Sequence, residues 1–152
     1  MYLFAVKKGY CMKKIIGYTA GVYDMFHIGH LNVIKRAKER CDYLIVGVST
    51  DEVVEKNKNK RPIIPFDERA KIVEAIKYVD QVVPQERYDI EGKIEIVKKY
   101  GINIMFVGSD WQGTEKWEKI EEELAKIACK VVYLPHTDGI SSTILRDKIG
   151  KN

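Results

Sequence analysis

His27 and His30 are two of the three histidines in this 152-residue chain, and a glycine, Gly29, stands between them. They follow an apolar stretch typical of a buried strand, so they fall where a strand passes into a helix. A helix N-terminus offers unpaired N–H groups and a partial positive charge to a phosphate, and residues three apart share one helix face. Each imidazole there can donate a hydrogen bond to an oxygen that becomes more negative during phosphoryl-type transfer. The spacing therefore predicts a phosphate-transfer site.

Two other interpretations of the histidine pair stay open at this point. One ring could be buried and structural while the other lies on the surface. Metal ligation is the third possibility, but no further His, Cys or carboxylate stands at a suitable local spacing. We therefore expect no protein metal site.

A basic run, KNKNKR, lies between two hydrophobic segments and contains Lys56, Lys58, Lys60 and Arg61. It is either a solvated loop or a binding site for phosphate or nucleic acid. The chain has no basic helix face, no interleaved aromatic platform and no zinc-finger spacing, so we expect no nucleic-acid partner.

Short apolar runs alternate with segments of helical period along most of the chain. Strands are predicted at residues 13–21, 42–50, 80–84, 102–109 and 130–135. Helices are predicted at residues 30–41, 67–79, 91–101 and 116–130, and from about residue 142. Apolar strands in such alternation indicate a parallel five-stranded sheet with helices on both faces, a doubly wound α/β fold. Ligands of such folds bind beyond the carboxyl ends of the strands, where the strand order reverses.

The composition fits one domain with its own core. No apolar run approaches the roughly 18 residues of a membrane span, and Leu3–Val6 is shorter than the apolar core of a signal peptide, about 7–15 residues. The three cysteines are odd in number and widely spaced, which favours reduced thiols over a disulfide framework. We therefore expect a cytoplasmic protein with no membrane partner.

Five blocks of the sequence, in order, carry a resemblance to a known family. They are GVYDMFHIGH at 21–30, CDYLIVGVSTDE at 41–52, ERAKIVEAIKYVDQVVP at 68–84, VGSDWQG at 107–113 and TDGISST at 137–143. Together they resemble the cytidylyltransferases of the HxGH nucleotidyltransferase superfamily, above all the small bacterial glycerol-3-phosphate cytidylyltransferases. The superfamily's fold is Rossmann-like.

The resemblance implies that the phosphate of a small phospho-alcohol attacks the α-phosphorus of CTP and gives a CDP-alcohol and pyrophosphate. The expected acceptor is glycerol 3-phosphate, with Mg²⁺ entering together with CTP. Alternatives are an ethanolamine- or choline-phosphate enzyme, an adenylyltransferase acting on a sugar phosphate or FMN, and an idle nucleotide-binding domain.

The resemblance also implies roles for individual residues. Catalytic roles fall to His27, His30 and one of Lys58 and Lys60. Nucleotide contacts fall to Gly21, Val22, Tyr23, Gly29, Asp110, His136, Gly139, Ile140, Ser141, Ser142 and Thr143. Acceptor contacts fall to Asp24, Arg69, Lys77 and Trp111. Two of these assignments have plain alternatives: the hydroxyls of 141–143 could simply cap a helix, and Trp111 could be a core residue at a strand end.

The sequence departs from the family pattern at two positions. His136 stands where the family has an arginine, so a permanent cation is replaced by a titratable one without the planar fork. Lys77 stands where an arginine is usual. The resemblance also predicts a homodimer through residues 77–82, although the valines at 79, 82 and 83 could equally form an interior strand. Residues 1–11 match nothing in the family, and its pattern begins near Met12. We therefore predict an extension at 1–12 before a single domain at 13–152.

Overall fold

The computed structural model describes residues 6–7, 10–11 and 13–151 of the chain. Its strands are β1 (Val6–Lys7), β2 (Tyr10–Cys11), β3 (Ile16–Gly21), β4 (Tyr43–Ser49), β5 (Gln81–Gln85), β6 (Ile104–Gly108) and β7 (Lys130–Leu134). Its helices are α1 (Ile28–Lys38), α2 (Asp51–Lys58), α3 (Phe66–Glu74), α4 (Ile90–Tyr100), α5 (Glu115–Ala125) and α6 (Ser142–Gly150), with one 3₁₀ turn at Ser109–Trp111.

Strands β3 to β7 form one parallel sheet in the order β5-β4-β3-β6-β7. The chain starts in the middle strand, adds β4 and β5 on one side, and then crosses to add β6 and β7 on the other. The order therefore reverses between β3 and β6, which is where ligands bind in such sheets. The predicted doubly wound α/β fold is confirmed.

A hydrophobic core lies on each face of the sheet, because successive strand residues point to opposite faces. On one face, Ile45 packs with Val97 of α4 and Leu124 of α5. On the other face, the neighbouring Leu44 packs with Ile34 of α1. The sheet is thus covered by helices on both sides and leaves its carboxyl edge for the site.

Helix α2 was not predicted, and it changes the setting of the basic run. The Thr50 hydroxyl caps the helix by accepting from the Val53 N–H at 3.3 Å, and Asn59 ends it in the left-handed conformation with φ 58°. Lys58 is therefore the last helical residue, and Lys60 and Arg61 lie in the following loop. Local capping and turn residues would have marked both ends.

The valines predicted to form either a dimer face or an interior strand all pack against the core, but only Val83 is fully buried. Val83 is buried on the α4–α5 face, and Val79 and Val82 pack against the other cluster. Strand β5 is an edge strand with Pro84 within it, which removes one ladder donor from that edge. The core thus uses part of the apolar surface of 77–82, and a dimer through this segment stays a prediction.

Strands β1 and β2 pair antiparallel in a sheet separate from the main one. The rest of the predicted extension, residues 1–12, lies outside the described residues. No helix in the described part of the chain is long and apolar enough to span a membrane. Of the cysteines whose side chains are described, Cys41 is half-buried and Cys129 is buried, and both are free thiols.

Candidate active site

A cavity of about 920 Å³ opens at the carboxyl ends of β3, β4, β5 and β6. It therefore lies at the point where the strand order reverses. Nine of the site residues predicted from the sequence line this cavity: Gly21, Val22, Tyr23, Asp24, His30, Lys58, Lys60, Trp111 and Ser142. The cavity brings together segments from almost the whole length of the chain.

The two motif histidines form a reciprocal cap at the start of α1. The Gly29 N–H donates to Nδ1 of His27 at 3.0 Å, and the His27 N–H donates to Nδ1 of His30 at 3.3 Å. This is the arrangement of a capping box, with imidazoles in place of the usual Ser or Thr and Glu. Because each Nδ1 accepts a backbone N–H, the neutral ring of each histidine carries its proton on Nε2. Both rings therefore have an Nε2–H to donate to a ligand.

Gly29 is required by this cap. A Cβ atom at Gly29 would lie 2.8 Å from Cε1 of His27 and 3.4 Å from Cγ2 of Ile140. Contacts below 3.0 Å force a neighbour to move, and here that neighbour is the imidazole itself. The glycine between the histidines thus makes room for the His27 ring over the first turn of α1.

Packing holds both rings neutral. Their centroids lie 3.8 Å apart in a stacked arrangement, and the buried Tyr23 ring contacts His30 edge-on at 5.3 Å. Burial lowers the pKa of His27, and burial together with the neighbouring His27 lowers the pKa of His30 to about 4. The free site therefore presents two neutral N–H donors at pH 7, and the positive charge comes from other side chains.

Asp24 is buried and fully engaged within the protein. Its Oδ2 accepts from the Ile63 N–H at 2.8 Å and its Oδ1 from the Ile64 N–H at 2.9 Å. Its Oδ2 also pairs with Nη2 of Arg146 at 2.6 Å, and these contacts outweigh burial and lower the Asp24 pKa. This geometry makes Asp24 a link between three segments of the protein; it also lines the cavity, and its contact with the acceptor stays a prediction.

Arg146 lines the cavity and was missed in the sequence. It lies on α6 four residues after Ser142, whose hydroxyl donates to the Asp24 carbonyl at 2.9 Å. Ser141 serves as the N-cap by accepting from the Ile144 N–H at 3.1 Å. Residues four apart share a helix face, so the spacing from Ser142 was the signal that could have identified Arg146.

Four cations line the end of the cavity near α1: Lys58, Lys60, Arg61 and Arg146. Arg61 is paired with Glu55 at 2.8 Å and Arg146 with Asp24. Burial, then Arg146 and Lys60, lower the pKa of Lys58. Like charges gathered in this way favour an anionic ligand. We call the side chains of His27, His30, Lys58, Lys60 and Arg146 the phosphate half.

Two residues predicted to contact the acceptor do not line the cavity. The Arg69 side chain is fully buried and donates to Oδ1 of Asp51 at 2.7 Å and to the carbonyl of Val22 at 2.5 Å. It holds the loop after β3 against α2 and has a structural role. Lys77 is exposed beside Tyr78, with Nζ 5.1 Å from the ring centroid, away from the cavity. The hydrophobic periodicity of the sequence does not show whether Arg69 is buried inside the protein or available to a ligand.

The loops after β6 and β7 meet outside the cavity. Nε2 of His136 forms a short hydrogen bond with the carboxylate of Asp110, and both side chains are exposed. The β7–α6 loop is tied to α1 by Nδ2 of Asn32, which donates to the Thr137 hydroxyl at 2.9 Å. Other predicted site residues that do not line the cavity are the catalytic candidate His27 and the nucleotide-contact candidates Gly29, Gly139, Ile140, Ser141 and Thr143.

The opposite end of the cavity lies between α4 and α5. We call it the α4–α5 lobe and define it by Tyr88, Lys93, Lys116 and Trp117, all of which line the cavity. Trp111 lies in the same cavity and is 51% exposed, so it is not the core residue that the alternative predicted. None of the four lobe residues belongs to a sequence motif.

A model of the family described as cytidylyltransferase-like matches residues 18–148, nearly the whole of this architecture. The chain belongs to the cytidylyltransferase-like family. This is a family of nucleotidyltransferase enzymes, so the resemblance drawn from the five sequence blocks is confirmed.

Two relatives and one solved structure illustrate the family. The glycerol-3-phosphate cytidylyltransferase of Bacillus subtilis is 38% identical over 138 residues, which cover 91% of this chain and 98% of that protein. The FAD synthase of Thermococcus sibiricus is 39% identical over 124 residues, 82% of each chain. A lipopolysaccharide core biosynthesis protein from Thermoplasma volcanium superposes with a TM-score of 0.67 at 24% identity, covering 82% of this chain and 98% of that one. This last likeness concerns the fold alone.

Proposed function

We propose that the protein transfers CMP from CTP to glycerol 3-phosphate, giving CDP-glycerol and pyrophosphate. The observation that carries this proposal is the reciprocal cap of His27 and His30, which leaves each ring a neutral Nε2–H donor and places His30 in a cavity with a cationic wall. The similarity to the Bacillus subtilis enzyme over 91% of the chain supports the choice of nucleotide and acceptor.

In the proposed reaction an oxygen of the acceptor phosphate attacks the α-phosphorus of CTP. The new oxygen–phosphorus bond forms as the bond from the α-phosphorus to the bridging oxygen breaks, and pyrophosphate leaves with that electron pair. No nucleophile from the protein is needed, so its work is to align two anions and stabilise the developing charge. The Nε2–H groups donate to the reacting phosphate oxygens, while Lys58, Lys60 and Arg146 offset the negative charge.

Mg²⁺ belongs to this proposal as part of the nucleotide substrate. The described residues contain no group of three or more His, Cys, Asp or Glu placed to hold a metal ion. Asp24, the buried carboxylate of the cavity, has both oxygens engaged, and imidazole nitrogens suit Mg²⁺ poorly. The residues therefore do not fit a protein-held Mg²⁺, and we propose that the ion is held by CTP phosphate oxygens.

A matrix of CTP and ATP against glycerol, ethanolamine, choline and polyol phosphates and FMN tests the proposal by pyrophosphate release. We expect turnover with CTP and glycerol 3-phosphate. Turnover with ATP alone would favour an adenylyltransferase, an interpretation that the likeness to the Thermococcus FAD synthase keeps open. Silence across the matrix, with CTP still raising the melting temperature, would leave an idle nucleotide-binding domain.

We also propose that the protein works as a homodimer in the cytoplasm. The support for the dimer is the resemblance to small cytidylyltransferases. The valines at 79, 82 and 83 give no separate support, because they pack against the chain's own core. Light scattering should return twice the 17.5 kDa mass of the chain, and the monomer mass at micromolar concentration would contradict the dimer.

A further inference from the structure

The turn between β3 and α1 holds two non-glycine residues in the left-handed backbone conformation. Tyr23 has φ 55° and Met25 has φ 49°. A Cβ atom makes this conformation unfavourable, and a bulky residue keeps it only where the surrounding structure holds it there. Asp24, between the two, is held by three hydrogen bonds to its carboxylate. The turn thus sets where the Tyr23 ring lies.

The Tyr23 ring folds back against the end of β3 and enters the core. The residue is 5% exposed and belongs to the hydrophobic cluster that includes Ile34 of α1 and Phe106 of β6. A Cβ atom at Gly21 would lie 3.1 Å from Cζ of this ring, so the glycine leaves the space that the ring needs. Burial raises the pKa of the Tyr23 hydroxyl, and a hydrogen bond with the Thr19 side chain lowers it by less. The ring is therefore held by packing and by its hydroxyl.

Three rings surround the imidazole of His30. Tyr23 contacts it edge-on with the centroids 5.3 Å apart and an interplanar angle of 72°, Phe26 lies at 5.4 Å, and His27 stacks on it at 3.8 Å. Tyr23 is the buried member, whereas Phe26 and His27 are partly exposed. The hydrogen bond to Nδ1 of His30, at 3.3 Å, fixes one atom of the imidazole and leaves its tilt to packing. Tyr23 is thus the contact that links this tilt to the core.

Resting on the proposed function, we propose that Tyr23 is a positioning residue: its buried ring fixes the tilt of the His30 imidazole, from which Nε2–H donates to a reacting phosphate oxygen. The ring acts through His30 and does not itself touch the reacting atoms. A donor whose orientation is fixed in advance stabilises the developing charge without reorganising during the reaction. The left-handed φ of Tyr23 is retained, on this account, because it brings the ring to His30.

The kinetic test compares wild type with Tyr23→Leu, which removes the ring, and Tyr23→Phe, which keeps the ring without its hydroxyl. We expect Tyr23→Leu to lower kcat about 10²-fold, the loss typical of a reacting group misplaced by about 1 Å. KM for CTP should stay within about threefold of wild type, because the cations of the phosphate half are unchanged. Tyr23→Phe should keep kcat within about threefold of wild type, since the edge-on contact with His30 remains.

Leu44→Ala is the control for lost stability. Leu44 is fully buried in the same hydrophobic cluster as Tyr23 and lies outside the cavity lining. It should lower the melting temperature and leave kcat of the folded protein unchanged. Tyr23→Met carries the test if Tyr23→Leu does not fold, because the flexible methionine fills irregular space in a core. Wild-type kcat in the folded ringless variant would overturn the proposal, as would an equal loss of kcat in Leu44→Ala.

NMR of the His30 ring separates this proposal from the proposed function, because it needs no turnover. The charged groups that act on this ring are His27 and Asp24, and burial is the main reason why its pKa is lowered from 6.5 to about 4. Without the Tyr23 ring, water reaches the imidazole and its tilt is no longer fixed. In Tyr23→Leu the pKa should therefore rise towards 6.5, and the neutral ring should become a mixture of tautomers.

Tyr23→Phe and Leu44→Ala should keep the wild-type pKa and a single Nε2–H tautomer of His30. An unchanged pKa and tautomer in folded Tyr23→Leu would overturn the role of Tyr23, whether or not the wild type is active. If wild type releases no pyrophosphate from CTP, the proposed function fails. Release of the His30 ring in Tyr23→Leu alone would still support Tyr23 as the residue that positions it.

Discussion

The phosphate half and the α4–α5 lobe are two ends of one cavity, and they are built in different ways. The phosphate half depends on short-range contacts at a helix start, where His27 and His30 cap α1 through hydrogen bonds spanning two and three residues. The lobe depends on α4 and α5, which bring Lys93 and Trp117 together from positions 24 residues apart. One end therefore has a sequence motif and the other has none.

The difference also concerns the charge at each end. The phosphate half combines neutral imidazole donors with lysine and arginine cations, which suits phosphates of any substrate in the proposed reaction. The lobe instead places a lysine ammonium over a Trp ring. Changes in the phosphate half should thus alter turnover for every acceptor, whereas changes in the lobe should leave the histidine contacts to the reacting phosphates intact.

The largest effect is expected from His27→Asn and His30→Asn. Asn keeps a neutral donor but removes the imidazole, so stabilisation of the developing phosphate charge is lost. We expect kcat to fall about 10²–10³-fold, or roughly 2.7–4 kcal/mol, with a smaller change in CTP binding and no change in the acceptor ratio. Steady-state kinetics at saturating CTP measure this. A kcat within threefold of wild type would leave these histidines with only the role of a helix cap.

Gly29→Ala should come next, because the new Cβ would lie 2.8 Å from Cε1 of His27 and push the ring aside. A misplacement of about 1 Å in a reacting group can cost about 10² in rate. Gly150→Ala is the control, since a Cβ there meets no atom within 4 Å. Equal kcat in the two variants would show that the ring position is not critical.

Arg146→Met should weaken CTP binding more than it lowers kcat. Loss of a charged hydrogen bond costs about 1.5–3 kcal/mol, so we expect KM for CTP to rise on the order of 10–100-fold. The melting temperature should also fall, because Asp24 loses its cation and keeps only the Ile63 and Ile64 N–H donors. Lys148→Met on the same helix is the control. An unchanged KM for CTP would remove Arg146 from the phosphate half.

The smallest expected effect is a pH dependence of stability. Between pH 6.5 and about 4 the unfolded chain protonates at position 30 while the folded His30 stays neutral. Unfolding takes up a proton in that window, so the free energy of unfolding should fall by roughly 1–2 kcal/mol from pH 7 to pH 5. Lys93 changes protonation on unfolding only between about 8 and 10.5 and adds no slope there. Urea unfolding at several pH values, with His30→Asn as the comparison, measures the difference; identical pH slopes would contradict it.

The order of strands and helices could be predicted from the sequence because their hydrophobic periods are local. Helix α2 was missed, although Thr50 and Asn59 mark its ends, because the basic run was treated as one loop. The helix predicted at 67–79 was also too long: α3 ends at Glu74, and Ala75 forms its C-cap. Capping residues, which act within a few positions, would have improved both boundaries.

By itself the sequence determined the alternation that makes a doubly wound sheet and the His27–Gly29–His30 cap, since these depend on residues within one or two helical turns. The tertiary structure decided which charged residues face the cavity. It pairs Asp24 with Arg146 across 122 positions and buries Arg69 against Val22 and Asp51. Burial and partner depend on which distant segments the topology brings together, and residue type and local spacing do not specify that.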